Sequence, residues 1–163
     1  MKRACALLAL CSGLFAGPAC AGTDGYVSEW VVSDGSALLE ISHSGEGVDI
    51  RLVRVTEAWV AWSSAVAGRL GEHNPDPTQR ARALEGIIIG RGLAQDGDGA
   101  LRGVLYDPAS GRTYKSRIEL VGPDTLSVRG YVGVQMWGRT TTWARKPRYR
   151  SRMLALLGAG EEC

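Results

Sequence analysis

NPDPTQRARALEGIIIGRGLAQDGDGALRGVLYDPASGRTYKSRIELVGPDTLSVRGYVGVQMWGRTTTWAR, residues 74–145, is a run of short segments in which apolar and polar residues alternate and each segment stops at a turn signal. Tyr114, Ser116, Ile118 and Leu120 fall on one side of such a segment, and Lys115, Arg117 and Glu119 on the other. Period-two alternation of this kind predicts a β-strand with one wet face. Thr125 to Val134 sets Leu126, Val128 and Val132 against Ser127, Arg129 and Tyr131, and Gln135 to Arg145 reads as the last strand. Gly86 to Leu93 and Leu101 to Tyr106 are two more, with Gln95-Asp96-Gly97-Asp98-Gly99 turning between them. Asp107-Pro108-Ala109-Ser110-Gly111 and Gly122-Pro123-Asp124 are further turns, placing proline and glycine where a fixed or a positive φ is wanted.

The same grammar extends upstream. Tyr26 to Val32 is β-prone, Ser33-Asp34-Gly35 favours a hairpin into Ala37 to His43, and Val48, Ile50 and Leu52 alternate with polar neighbours beyond Ser44-Gly45-Glu46-Gly47. Ala58 to Trp62 continues the β-prone stretch, and Ser63 to Glu72 is a weak helix candidate interrupted by Gly68 and Gly71. About eight or nine short strands with turns between them predict an all-β fold, an antiparallel up-and-down barrel or a sandwich of meander connectivity, and closure into a barrel would remove exposed strand edges. Lys146 to Cys163 differs in character, a basic tail of helical or irregular structure.

The amino terminus predicts export. Lys2 and Arg3 precede an apolar run from Ala4 to Phe15, and Ala19-Cys20-Ala21 has the small-x-small pattern of a signal peptidase site. The expected organisation is therefore a signal peptide over 1–21, a barrel domain over 22–145 and a tail over 146–163, in a periplasmic or secreted protein. Lipidation of Cys20 is the alternative, weakened by Gly17, which stands where a lipoprotein carries a large aliphatic residue. Cleavage removes Cys5, Cys11 and Cys20, leaving Cys163 with no internal partner. It also brings the 19 basic residues level with the 17 acidic ones by removing Lys2 and Arg3. A balanced, exported chain argues against nucleic acid as a partner. The basic tail, with Arg148, Arg150 and Arg152, reads as a solvated face capable of weak contact with an envelope surface.

Residues able to carry chemistry are sparse. His43 and His73 are the two histidines, and neither has metal-ligand spacing to a neighbour. Gln95 to Gly99 offers oxygen ligands but lacks the distal glutamate of a calcium loop, so it reads as a tight turn. No catalytic residue, metal ligand or cofactor is assigned. Asn74-Pro75-Asp76-Pro77-Thr78-Gln79-Arg80 is a stiff polar loop suited to a barrel mouth, with Asn74, Asp76 and Arg80 as candidate ligand contacts. The plainer reading pairs Asp76 locally with Arg80 or Arg82. Five tryptophans and five tyrosines stand against one phenylalanine, Phe15 in the leader, so the aromatic rings of the domain carry polar handles. Tyr106, Trp59 and Trp137 join the candidate ligand contacts.

The Asn74–Pro77 run, Arg80 to Gly86, Tyr106 to Tyr114, Val128-Arg129-Gly130-Tyr131 and Gly138-Arg139-Thr140 to Trp143 together resemble the DUF2147 family of bacterial exported proteins. The likeness runs from about Ser28 to Arg145, is faint before Glu72, and leaves out the tail. Members often carry a short-spaced cysteine pair, which the stretch from Ile41 to Ile50 lacks. The resemblance implies a lipocalin-like calycin barrel, with no assigned biochemical role. In such barrels an early tryptophan is covered by a late basic residue. Here that implies Trp30, Trp143 and Arg145 as the closure, although Ser28 stands where the usual glycine would precede Trp30.

Three functional readings follow. The first is non-enzymatic binding of a small hydrophobic or amphipathic ligand in the barrel. The second is an envelope structural or interaction module using the tail. The third is a hydrolase or isomerase built on Asp76, Asp107 and Tyr106.

Overall fold

The computed structural model describes residues 22–45, 47–56 and 70–147. Eight antiparallel strands, β1 (Ser28–Val32), β2 (Ala37–Ser44), β3 (Gly47–Val55), β4 (Ile88–Gln95), β5 (Leu101–Asp107), β6 (Arg112–Gly122), β7 (Thr125–Tyr131) and β8 (Gly138–Arg145), follow one another around a closed barrel. The seam is sealed by β1 against β8, with Trp30 opposite Arg145 and Val32 opposite Trp143. The expected leader, the strand from Ala58 to Trp62, Trp59 itself, most of the helix from Ser63 to Glu72, and the tail beyond Pro147 lie outside the described residues. Lys146 belongs with the barrel rather than the tail: its N–H reaches the Glu29 carbonyl at 2.9 Å and its ammonium the Glu29 carboxylate at 3.0 Å.

Alternation along the strands sets the inside. Leu39, Ile41, Ile50, Leu52, Ile118, Leu126 and Val128 are buried, while their sequence neighbours face outward. One end is packed solid. Trp30, Ile41, Val48, Ile50, Leu93, Leu101, Ile118 and Leu126 are almost wholly excluded from solvent there. Small residues make the room: a Cβ on Gly103 would stand 2.7 Å from Leu93 Cγ, and one on Gly90 2.6 Å from Leu105 Cδ2. The close fit of such an interior explains why glycine is used inside strands that otherwise favour branched residues.

A 3-10 turn at Thr23–Gly25 crosses this closed end. It is pinned by the Tyr26 hydroxyl donating to the Gly99 carbonyl at 2.8 Å and by the buried Trp30 indole N–H donating to the Tyr26 carbonyl at 2.8 Å. Arg145 lies over the Trp30 ring at 4.3 Å from its centre. Its guanidinium also donates to the carbonyls of Gly25 at 2.8 Å and Pro123 at 3.0 Å, and pairs with Asp124 at 3.0 Å. One side chain thereby joins the amino-terminal turn, the β6–β7 turn and the seam. His43 is an exposed rim residue at the same end, 3.0 Å from the Asp24 carboxylate.

The strand ends differ most from the sequence reading between β7 and β8. β7 stops at Tyr131 and β8 begins at Gly138, so Val132, Val134, Met136 and Trp137 form a loop instead of strand. The cause is local. Gly133 takes φ of 74°, and Gly138 is pressed so close to β7 that a Cβ there would lie 2.6 Å from the Gly130 carbonyl.

Candidate functional site

The opposite end of the barrel is open. The β1–β2, β5–β6 and β7–β8 turns border it. Within it lies a cleft of about 600 Å³, whose walls include Leu39, Leu52, Ile89, Leu105, Val128 and Trp143. Tyr114, Tyr131, Thr141 and Arg139 also border the cleft, with Asp34, Asp107 and Trp137. The arrangement is an apolar well with a polar margin, the usual chemistry of a site for a small molecule. Eight strands are just enough to enclose one small ligand or to fill the space with side chains. This barrel does the second at its closed half and leaves room at the other.

Arg139 was missed as a ligand contact by sequence reasoning. Strand parity places it with Thr141 and Trp143, on the face that lines the cleft, and no carboxylate pairs with it among the described residues. Period-two counting backwards from Trp143 finds it once the inward face of β8 is known.

A second cavity of about 310 Å³ lies beneath the connection to β4, bordered by Arg51, Asn74, Gln79, Arg82, Leu84, Arg91 and Tyr106. Tyr106 borders both cavities. Its hydroxyl is enclosed beside Asn74 without a well-formed hydrogen bond, and burial, with the nearby Asp107 charge, raises its pKa above the ordinary phenol value. It therefore stays a protonated donor at neutral pH.

The stiff loop is built as its prolines imply, but its polar groups are spent internally. The Asp76 carboxylate caps a 3-10 turn at Pro77–Gln79, accepting from the Thr78 N–H at 2.9 Å and hydroxyl at 2.8 Å. Those two bonds lower its pKa. Arg80 donates to the Asn74 carbonyl at 2.9 Å and Arg82 to the Gln79 side chain at 3.4 Å, in place of the expected pairing with Asp76. Of the candidate contacts, Asn74 borders the smaller cavity, Tyr106 both, and Trp137 the larger, where it is 81% exposed at the rim. Asp76 and Arg80 border neither. Asp107 borders the cleft, but its carboxylate is engaged by the Ala109 N–H at 3.0 Å and the Ser110 hydroxyl at 2.7 Å. Asp76, Asp107 and Tyr106 thus form no common catalytic cluster. Among the described residues no group of three or more histidine, cysteine or carboxylate side chains is placed to hold a metal ion.

A closed eight-stranded meander, packed at one end and hollow at the other, with a tryptophan and an arginine stacked across the packed end, defines a lipocalin-like barrel. The chain belongs to the family described as uncharacterized protein conserved in bacteria (DUF2147), whose model matches residues 28–145. It is also similar in fold to protein HP1028 from Helicobacter pylori, described as belonging to the lipocalin family. That likeness has a TM-score of 0.63 at 18% identity, covering 79% of this chain and 88% of the other. No curated protein matches the chain.

Proposed function

We propose that the protein is exported and binds a small amphipathic molecule, whose apolar part enters the open end of the barrel while its polar end stays at the margin. The observation that carries this reading is the 600 Å³ cleft, apolar on its walls and bordered by the unpaired Arg139 and by Tyr114 and Tyr131. Burying apolar ligand surface there supplies affinity at roughly 25 cal/mol per Å². Arg139 selects a ligand with hydrogen-bond acceptors, and an acidic end satisfies the guanidinium best. The lipocalin-like fold supports small-ligand binding as a class, and the leader-like residues 1–21 support export.

Native mass spectrometry of protein recovered from its own host tests the reading. The expected result is a mass above that of the processed chain, lost on organic extraction. Gly130 borders the cleft with ordinary space around it, a Cβ there meeting Tyr114 Cβ at 3.6 Å. Gly130→Phe therefore fills the well, and it is expected to abolish the added mass while the barrel stays folded by circular dichroism. Recovery of wild-type protein without any bound molecule, together with no binding of long-chain carboxylates or alcohols by calorimetry, rejects the proposal.

A further inference from the structure

The β7–β8 loop shows an arrangement that ligand binding inside the barrel does not require. Val132, Val134, Met136 and Trp137 are 69%, 63%, 83% and 81% exposed, on a loop of the open end. Apolar residues standing singly on a surface are ordinary, but four on one short loop are a concentration that costs free energy in water. The loop's shape is imposed from beneath. The Arg129 guanidinium, on the outward face of β7, donates to the Gln135 carbonyl at 2.9 Å and the Met136 carbonyl at 3.1 Å, and is held by the Thr140 hydroxyl at 2.8 Å. The Trp137 N–H closes the turn on the Val134 carbonyl at 3.2 Å. With its backbone tied down in this way, the loop has little freedom to fold its apolar side chains back onto the barrel.

The charges around it have a sign. Arg139 lies across from Gly130, Lys115 across from Tyr131, and Arg112 opens β6 at the same end. None of the three has a carboxylate partner among the described residues. Two carboxylates of that end are oriented into their own turns instead: Asp34 accepts from the Ser36 N–H at 2.8 Å, and Asp107 from Ala109 and Ser110. An exposed apolar loop with tryptophan and methionine, flanked by three cations without carboxylate partners, matches a surface that is apolar at depth and anionic above. It is the pattern by which peripheral elements seat in a lipid interface. A protein partner would need a cleft shaped to this loop, whereas a bilayer needs none.

We infer that the β7–β8 loop docks the open end of the barrel onto an anionic lipid surface, seating Val134, Met136 and Trp137 among the acyl chains while Arg139, Lys115 and Arg112 meet the headgroups. The docked orientation turns the mouth of the cleft toward the membrane. The inference goes beyond ligand binding, because an empty barrel docks equally well.

The test mixes the whole chain with vesicles of phosphatidylglycerol and phosphatidylcholine. The Trp137 signal is isolated as the difference in emission between wild type and Trp137→Phe. It is expected to shift to the blue on adding vesicles and to be quenched by brominated acyl chains, and vesicles of phosphatidylcholine alone are expected to bind more weakly. The triple variant Val134→Ser, Met136→Ser, Trp137→Ser is expected to lose about tenfold or more in vesicle partitioning, with unchanged circular dichroism because these side chains lie outside the core. A Trp137 signal that stays at its water-exposed position, or a triple variant that partitions like wild type, overturns the inference. Equal binding to both vesicle types overturns its electrostatic part. A vesicle-free dimer abolished by the triple variant would give the loop to a second copy of the chain and overturn it as well.

Discussion

Arg145 shows how much one residue can hold together. Its guanidinium covers Trp30, and its donors reach the Gly25 and Pro123 carbonyls and the Asp124 carboxylate. Arg145→Ala loses the ring contact and leaves the Gly25 and Pro123 carbonyls to water, a cost of about 2 kcal/mol in urea unfolding at neutral pH. Arg145→Lys keeps the charge but not the planar fork, so about half that loss is expected to remain. Gly111 is the second sensitive position. It takes φ of 68°, and a Cβ there would run into the His73 carbonyl, where the loop before Asn74 lies against the β5–β6 turn. Gly111→Ala is expected to cost about 2 kcal/mol or more by thermal melting. Asp107-Pro108-Ala109-Ser110-Gly111 is legible as a turn in the sequence, but the pressure from His73 is not, because His73 approaches from a segment far away in the chain.

At the scale of elements, Arg117 on the outer face of β6 bridges Asp98 of the β4–β5 turn and Glu119 of its own strand, each at 2.6 Å. Asp98 has its pKa lowered by the Ala100 N–H and then by Arg117, and Glu119 is lowered by Arg117 first. A carboxyl held below its unfolded value contributes stability that is complete above that value and is lost as pH falls through the lowered native one. The barrel is therefore expected to keep this contribution at neutral pH and lose it below the ordinary carboxylate range, from about pH 4 downward. Arg117→Gln is expected to melt lower than wild type at pH 7, with the gap closing as pH falls through that window. A gap independent of pH would remove the carboxylates from the explanation. Strand placement follows a similar division. The alternation in β6 and β7 is local and reads directly from the residues, while the end of β7 at Tyr131 depends on Gly138 pressing against Gly130 and on Arg129 holding the following loop. Those are contacts across a hairpin, which period-two counting does not see.

For the molecule as a whole, the barrel divides into a packed half and a hollow half, and this division is what makes a site conceivable. Gly130→Phe tests the hollow half, and the seam tests closure. β1 and β8 are paired at Trp30, Val31 and Val32, although all the other strands lie between them in the chain. The sequence by itself determined the all-β class, the meander and most turn positions, because alternation and turn chemistry act over a few neighbouring residues. It also placed Trp30 and Arg145 as candidates for one contact through the family resemblance. Only the tertiary structure decided that Asp76 and Arg80 serve the loop itself, that Arg139 borders the cleft, and that Val132 to Trp137 stand in solvent. Each of those depends on which atoms of distant strands come within a few ångströms. Local patterning says which way a side chain points relative to its own strand, and only closure of the barrel says what it meets there.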